Sequence, residues 1–266
     1  MRYVAFVQMS PSPQPDAIYD GAEMLVLQAQ LGGWDNLNHL IICKSTGQAA
    51  IVDPFSGRYW ARVCGERGFT LTSALLTHSH WDHSKGVAGL LKALPEVRVW
   101  VHELESERGW EGPDTDRWDN PPLSSAEFRM GNLTFEVHCT PGHTPGHVTI
   151  CGHGIVLSGD CLFLGRCGRT DLFGGDIRAQ HESLIYLKSI LAKFPEDWLV
   201  LPGHQYPLED GSLPTFTTVG ELLVGNTALV AAGDWEEFSR LEFLSFDDSL
   251  AVRARRQRAK TREHSH

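Results

Sequence analysis

Leu71-Thr72-Ser73-Ala74-Leu75-Leu76-Thr77 runs directly into His78-Ser79-His80-Trp81-Asp82-His83, and the reading of that junction decides the fold. The first seven residues are apolar or small and β-tolerant, a length and composition that predict a buried strand ending in a polar loop. The loop then gathers His78, His80, Asp82 and His83 within six residues. A chain leaving a strand end can turn several side chains toward one point. Neutral imidazole with carboxylate is a donor set suited to Zn, Fe or Mn at neutral pH. A polar surface loop is the competing reading, and such a loop has no need of this spacing.

Working outward, the same arrangement recurs at three other places. Thr140-Pro141-Gly142-His143 follows a strand ending at His138, Ser158-Gly159-Asp160 follows Ile155-Val156-Leu157, and Pro202-Gly203-His204 follows Trp198-Leu199-Val200-Leu201. In each case a strand ends, a glycine permits tight backbone geometry, and a ligand-type side chain appears. Four strand ends can therefore converge on one site. The remaining histidines are weighed against this pattern: His147 reads as a packing residue or one that orients a ligand, and His39, His102, His138, His153 and His181 as structural or surface residues.

Around these motifs the chain alternates strands and helices. Residues 24–29, 39–43 and 49–53 form an expected meander, with turn signals at Gly32-Gly33 and at 45–47. Helices are expected at 57–67, at 85–94 before Pro95, and at 178–194 before Pro195. Further strands are expected at 97–102, 133–138, 147–151, 155–158 and 198–201. Loop 104–122 is long enough to be functional, with disorder as the alternative. From Phe216 onward Trp235, Phe238, Leu241 and Leu244 recur at helical spacing. These elements imply an α/β protein in which two β-rich halves form a sandwich with helices outside. We divide the chain into a body, 1–215, carrying a Pro-rich extension at 1–23, and a helical segment, 216–266.

A hydrophobic content of 42% over 266 residues gives material for a sizeable core, so the chain reads as globular and soluble. The formal charge of −10 argues against general nucleic-acid binding, which needs a basic face. Its exception is the end of the chain, where Arg253, Arg255, Arg256, Arg258, Lys260 and Arg262 meet only Glu263; a solvated terminus is the plain reading. The six cysteines show no C-x-x-C pair and read as reduced thiols. With no signal-like leader and no apolar run of spanning length, the expectation is a cytoplasmic protein with no membrane partner. Oligomeric state stays open, with a homodimer admitted. A Gly-x-Ser-x-Gly elbow, a Walker loop and a Gly-x-Gly-x-x-Gly fingerprint are all absent, which argues against serine-nucleophile or dinucleotide chemistry.

His78-Ser79-His80-Trp81-Asp82-His83, His143, Asp160 and His204 resemble, in order, the metal motifs of the metallo-β-lactamase superfamily, over about residues 24 to 206. The resemblance implies an αββα sandwich of two mixed sheets flanked by helices. It also implies two divalent metal ions, most simply zinc, with iron or manganese as alternatives. His78, His80 and His143 would hold the first, Asp82, His83 and His204 the second, and Asp160 would bridge them. Asp82 would in addition orient the hydroxide that attacks the substrate. Ser158 to Phe163, Cys167-Gly168-Arg169-Thr170-Asp171 and Gly203-His204-Gln205-Tyr206 are further similar to glyoxalase II and to persulfide dioxygenases, both acting on glutathione-linked sulfur.

That narrower resemblance implies a thioester hydrolase acting on a substrate such as S-lactoylglutathione, with Arg169 and Tyr206 touching the glutathione moiety. Two readings of Arg169 stand side by side: a carboxylate clamp for substrate, or an internal ion pair with Asp171. Asp171 departs from glyoxalase II, which has an aromatic residue there, and the helical C-terminal part is shorter. The alternative activity is an iron-dependent persulfide dioxygenase using His78, His143 and Asp160; Trp81 speaks against it, because the resemblance puts a small residue there in dioxygenases. Hydrolysis of another ester, lactone or phosphoester is the third possibility.

Overall fold

Strand β1 (Asp16–Asp20) opens the described part of the chain, followed by β2 (Met24–Leu31), β3 (Asn36–Cys43) and β4 (Gln48–Val52). This computed structural model describes residues 13–246 and Val252. Helix α1 (Gly57–Arg67) leads to β5 (Thr70–Leu75), then to short helices α2 (Trp81–Ser84) and α3 (Val87–Ala93) and to strands β6 (Arg98–His102) and β7 (Asp116–Trp118). The second half contains β8 (Ser125–Met130), β9 (Leu133–Cys139), β10 (Val148–Gly152), β11 (Ile155–Gly159), α4 (Ile177–Leu191), β12 (Leu199–Pro202) and β13 (Thr217–Thr218). Helices α5 (Val219–Gly225), α6 (Thr227–Ala231) and α7 (Trp235–Ser239) follow.

Two sheets form in strict sequence order, β1 to β7 in one and β8 to β13 in the other. Each begins as an antiparallel meander and then turns parallel across a helix: β4 to β5 over α1, and β11 to β12 over α4. Parallel neighbours share a carboxyl end, so each crossover delivers two loops to the same edge of its sheet.

Burial explains the layering. Val26, Ile41 and Leu75 from the first sheet meet Phe135, Ile150, Leu157 and Leu201 from the second in one inter-sheet core. Strand β3 is buried along its whole length, because its other face packs through Leu40 and Ile42 against Trp60 and Val63 of α1 and Leu90 of α3. On the far side Val156 and Val200 pack under Leu184 and Leu187 of α4, and Leu222, Leu229 and Phe238 of the C-terminal helices share that cluster. The result is the expected αββα sandwich.

Several elements differ from the sequence reading. Strand β1 falls inside the stretch read as an extension; it is a half-exposed edge strand, so it carries no long apolar run. Strand β8 hides Phe128 and Met130 while Ser125, Glu127 and Arg129 face water, an alternation present in the sequence but short and charged. Loop 104–122 is ordered, with a 3-10 turn at Glu103–Arg108 and β7 within it. The helical segment after Phe216 is three short helices instead of one, because Asn226 and Asp234 cap new starts with their side chains. The basic residues beyond position 252 lie outside the described residues.

The shared third cluster makes a definite expectation about cooperativity. Phe238→Ala should lower the unfolding free energy by about 3–5 kcal/mol with a single denaturant transition. A second transition, or an unmoved midpoint, would show that the C-terminal helices unfold on their own.

Candidate metal centre

Every loop of the site leaves a strand at the edge where the two crossovers deliver their ends. His78 to His83 follow β5, Asp160 follows β11, His204 follows β12, and His143 lies in the turn between β9 and β10. Their donor atoms form two groups: His78, His80 and His143 converge in one, Asp82, His83 and His204 in the other, each with all atoms within 4.8 Å of one another. Asp160 lies between them, Oδ2 being 3.6 Å from His143 Nε2 and 3.4 Å from His204 Nε2, and Oδ1 3.5 Å from His83 Nε2. All seven residues singled out in the sequence therefore meet.

The hydrogen bonds on the outer side of each ring fix what the inner side presents. His143 Nδ1 donates to the Arg169 carbonyl at 2.7 Å, and His204 Nδ1 donates to the Trp34 carbonyl at 2.7 Å. His83 Nδ1 lies 2.9 Å from Asp53 Oδ2. Each of these imidazoles, when neutral, then carries a lone pair on Nε2. Yet His83 Nε2 faces His204 Nε2 at 3.0 Å, and His143 Nε2 faces His80 Nδ1 at 2.9 Å. His78 Nε2 and Asp160 Oδ1 are buried with no hydrogen-bond partner. Lone pairs aimed at one another in a dry site fit a cation between them, and the residues suit divalent metal ions.

Protons take part of that place in the metal-free chain. Burial opposes charge on His83, but the carboxylates of Asp160, Asp82 and Asp53 outweigh it and lift the imidazole well above its ordinary range. His204, likewise buried, is raised to about 9 by Asp160 and Asp82. Burial would favour the neutral acid at Asp82 and Asp160, yet His83 and His204 hold both carboxyls well below the usual range. His78 and His80 go the other way, pushed well down by burial and by neighbouring imidazoles.

Three positioning residues escaped the sequence reading. Asp53, at the end of β4, sits at a φ of 49°, uncommon for a residue with a side chain. It accepts from Thr77 N at 2.8 Å and Thr77 Oγ1 at 2.6 Å besides meeting His83; it had the same signal as Asp160, an acidic residue right after an apolar strand. Glu105, fully buried, accepts from Ser79 N at 2.7 Å, from the Ser79 hydroxyl, and from Gly146 N at 2.9 Å. It thereby ties the His78–His83 loop to the His143 loop. Asn36 Nδ2 donates to Asp82 Oδ2 at 2.8 Å. His147 has the orienting role weighed for it: Nε2 accepts from Asp160 N and Cys161 N, both at 3.0 Å, and burial keeps the ring neutral.

Tyr206 lies beside the cluster, its ring 6.1 Å from that of His204, and burial together with Asp160 raises its phenol. Arg169 forms the internal pair with Asp171, Nε to Oδ1 at 2.7 Å and Nη2 to Oδ2 at 2.9 Å. At the rim Trp34 and Trp81, 55% and 58% exposed, meet edge to face at 5.8 Å. Lys85 lies 4.3 Å over the Trp81 ring.

With this geometry in place, the known proteins it resembles can be compared. The profile of the metallo-beta-lactamase superfamily matches residues 32–204. The chain belongs to this superfamily. Divalent-metal binding goes with that membership and with the His/Asp cluster. Hydroxyacylglutathione hydrolase of Tolumonas auensis is 35% identical over 175 residues, 64% of this chain and 62% of that protein. The Arabidopsis thaliana protein named cytoplasmic hydroxyacylglutathione hydrolase is 30% identical over 182 residues, 66% of each. The chain spans 62% to 64% of the length of the hydroxyacylglutathione hydrolases of Tolumonas auensis, Aeromonas hydrophila and Aeromonas salmonicida. Among solved structures, ETHE1 from Myxococcus xanthus has a TM-score of 0.66 at 26% identity, covering 85% of this chain and 94% of that one. TTHA1623 in a di-iron-bound form has a TM-score of 0.56 at 30% identity, covering 75% and 98%. Among the described residues no helix is long and apolar enough to cross a membrane.

Two expectations follow from the site. A Cβ on Gly203 would overlap Asp160 Oδ1 and come within 3.0 Å of His83 Cε1, so Gly203→Ala should cut bound metal at least tenfold, measured by elemental analysis after dialysis, while the fold persists by circular dichroism. Second, the folded pKa of His204, about 9, exceeds the unfolded 6.5. Its stabilisation of the metal-free chain is complete below pH 6.5 and lost as pH rises through 9. The metal-free protein should therefore lose on the order of 3 kcal/mol between pH 6.5 and 9.5, whereas the metal-loaded protein should not; thermal melts across that range decide it.

Proposed function

We propose that this protein is a metal-dependent thioesterase that hydrolyses a glutathione thioester such as S-lactoylglutathione. The observation that carries the reading is the completeness of both donor groups, with the outer nitrogens of His143, His204 and His83 already engaged so that Nε2 of each faces inward. The names of the relatives, hydroxyacylglutathione hydrolases, supply the substrate class.

In this reading His78, His80 and His143 would hold one metal ion and Asp82, His83 and His204 the other, with Asp160 available to both. When bound, the ions polarise the acyl carbonyl and lower the pKa of water toward ~7. Asp82 stays ionised, and with Asn36 fixed on Oδ2 its other oxygen would accept a hydrogen bond from the attacking water and orient it, the proton that water loses going to the departing sulfur. The carbon–sulfur bond breaks, a carbon–oxygen bond forms, and the thiol leaves. Glu105 keeps the two ligand loops in register, and Tyr206, a phenol at neutral pH, can donate a hydrogen bond to the substrate. Zinc is the simplest occupant, with iron or manganese equally able to serve this Lewis-acid chemistry. We place the enzyme in the cytoplasm, a reading supported by six free buried cysteines.

One observation favours a second reading: Cys167 to Asp171 keeps the form associated above with persulfide dioxygenases, and His78, His143 and Asp160 make a two-histidine, one-carboxylate set. The two chemistries differ in their need for oxygen. The purified protein should cleave S-lactoylglutathione anaerobically, releasing one thiol per thioester, and should consume no oxygen with glutathione persulfide. Oxygen uptake requiring both iron and persulfide, without thioester cleavage, would replace the first reading by the second.

A further inference from the structure

Arg169 is the cation to which the sequence points for substrate, yet its guanidinium is engaged within the protein. Besides the two bonds to Asp171, Nη2 donates to the Phe246 carbonyl at 3.2 Å. Asp171 Oδ2 in turn accepts from Phe246 N at 3.0 Å and from Ser245 Oγ at 3.3 Å. Arg169 and Asp171 thus clasp the chain after α7 to the loop that follows Asp160.

Arg166, three residues earlier, is arranged differently. Its Cζ lies 4.1 Å from the centroid of the Tyr206 ring, 5.7 Å from Phe243 and 5.5 Å from Phe246. Among the described residues it has no ion pair, and its Nε is buried with no hydrogen-bond partner. A guanidinium beside aromatic rings has its faces covered; here the group also meets the Tyr206 hydroxyl, and among its N–H donors it is the buried Nε that remains to be satisfied. Leaving such donors partly dry and unpaired is unfavourable, and a carboxylate that takes two of them in parallel relieves it. The location matters as much as the chemistry. Tyr206 stands between Arg166 and the metal centre, with its ring 4.8 Å from Phe163 and 6.1 Å from His204. A substrate with its acyl carbon at the cluster and an anionic group on its thiol side would pass along Tyr206 and end at Arg166.

We propose that Arg166 is the specificity-determining residue of this enzyme: it binds a carboxylate on the thiol carrier of the thioester, with Tyr206, Phe243 and Phe246 holding the guanidinium edge toward it. The proposal rests on the thioesterase reading for its substrate. Arg169 serves the site indirectly, by clasping the segment that supplies Phe246.

The test compares S-lactoylglutathione, which carries carboxylates on its thiol side, with S-lactoyl-N-acetylcysteamine, which carries none. Arg166→Ala and Arg166→Met, the latter keeping apolar packing on Tyr206, should raise KM for S-lactoylglutathione about tenfold or more with little change in kcat, the pattern of lost uniform binding. Discrimination between the two substrates should fall by the same factor, and Arg166→Lys should recover part of it. Metal content and melting temperature verify that the variants are folded. Equal discrimination in wild type and both variants overturns the proposal. If wild type cleaves neither thioester, the hydrolase reading fails separately, and calorimetric binding of S-methylglutathione then decides on Arg166: at least tenfold weaker binding by Arg166→Met upholds the carboxylate contact, and equal binding overturns it.

Discussion

Imidazole nitrogens that face one another at about 3 Å, with the opposite nitrogens of His83, His143 and His204 already committed to carbonyls and a carboxylate, set the terms for the rest of this molecule. In a water-poor site, apposed lone pairs and two ionised aspartates repel unless positive charge lies among them. Protons on His83 and His204 supply some of it in the metal-free chain. Divalent ions supply it more completely and displace those protons on binding. A flexible loop would relax away from such an arrangement. Here the strand ends cannot, because Asp53, Glu105, Asn36 and His147 each fasten a ligand-bearing segment to a neighbour.

The architecture explains how a chain holds seven donors in that state. The first sheet turns parallel at β4–β5 and the second at β11–β12, and each of these crossovers brings two loops to one edge. Packing the sheets face to face aligns those edges, so neither half contains a full site. Asp160 and His204 come from the second sheet and His78 to His83 from the first, and their separation is set by the inter-sheet core around Ile41, Leu75, Leu157 and Leu201. Core packing and metal geometry are consequently one problem. Gly203 marks the tightest point, where a single methyl group would occupy space that the carboxylate of Asp160 needs.

Reaction and recognition are separable in this structure. The ligand set belongs to a fold that hosts many substrates. What surrounds it is particular to this chain: the exposed tryptophan pair, and the loop after Asp160 with the C-terminal segment clasped to it. Phe243 and Phe246 lie near Arg166, on a segment that the Arg169–Asp171 pair anchors through the Phe246 backbone. The C-terminal helices share a hydrophobic cluster with α4 and the second sheet, so the segment that follows them is held against the body of the fold.

The amino-acid sequence alone was enough to pick out the seven side chains that converge. His78, His80, Asp82, His83, His143, Asp160 and His204 each follow a strand, with a glycine beside the later ones, and local pattern suffices because strand ends and tight turns are local features. It also determined α1, whose apolar spacing and terminal Gly68 leave little choice. The residues that orient the ligands were harder to read. Asp53 lies 30 positions from His83 and Glu105 41 from Gly146, and hydrogen bonds across such separations exist only once the loops are brought together. Arg166 and Arg169 are two like charges three residues apart, and for Arg169 the sequence left a substrate clamp and an internal pair with Asp171 side by side. Only the tertiary structure decided that Asp171 and Phe246 engage one while aromatic rings flank the other, because the energy of a charged group depends on what surrounds it in space and not on its neighbours along the chain.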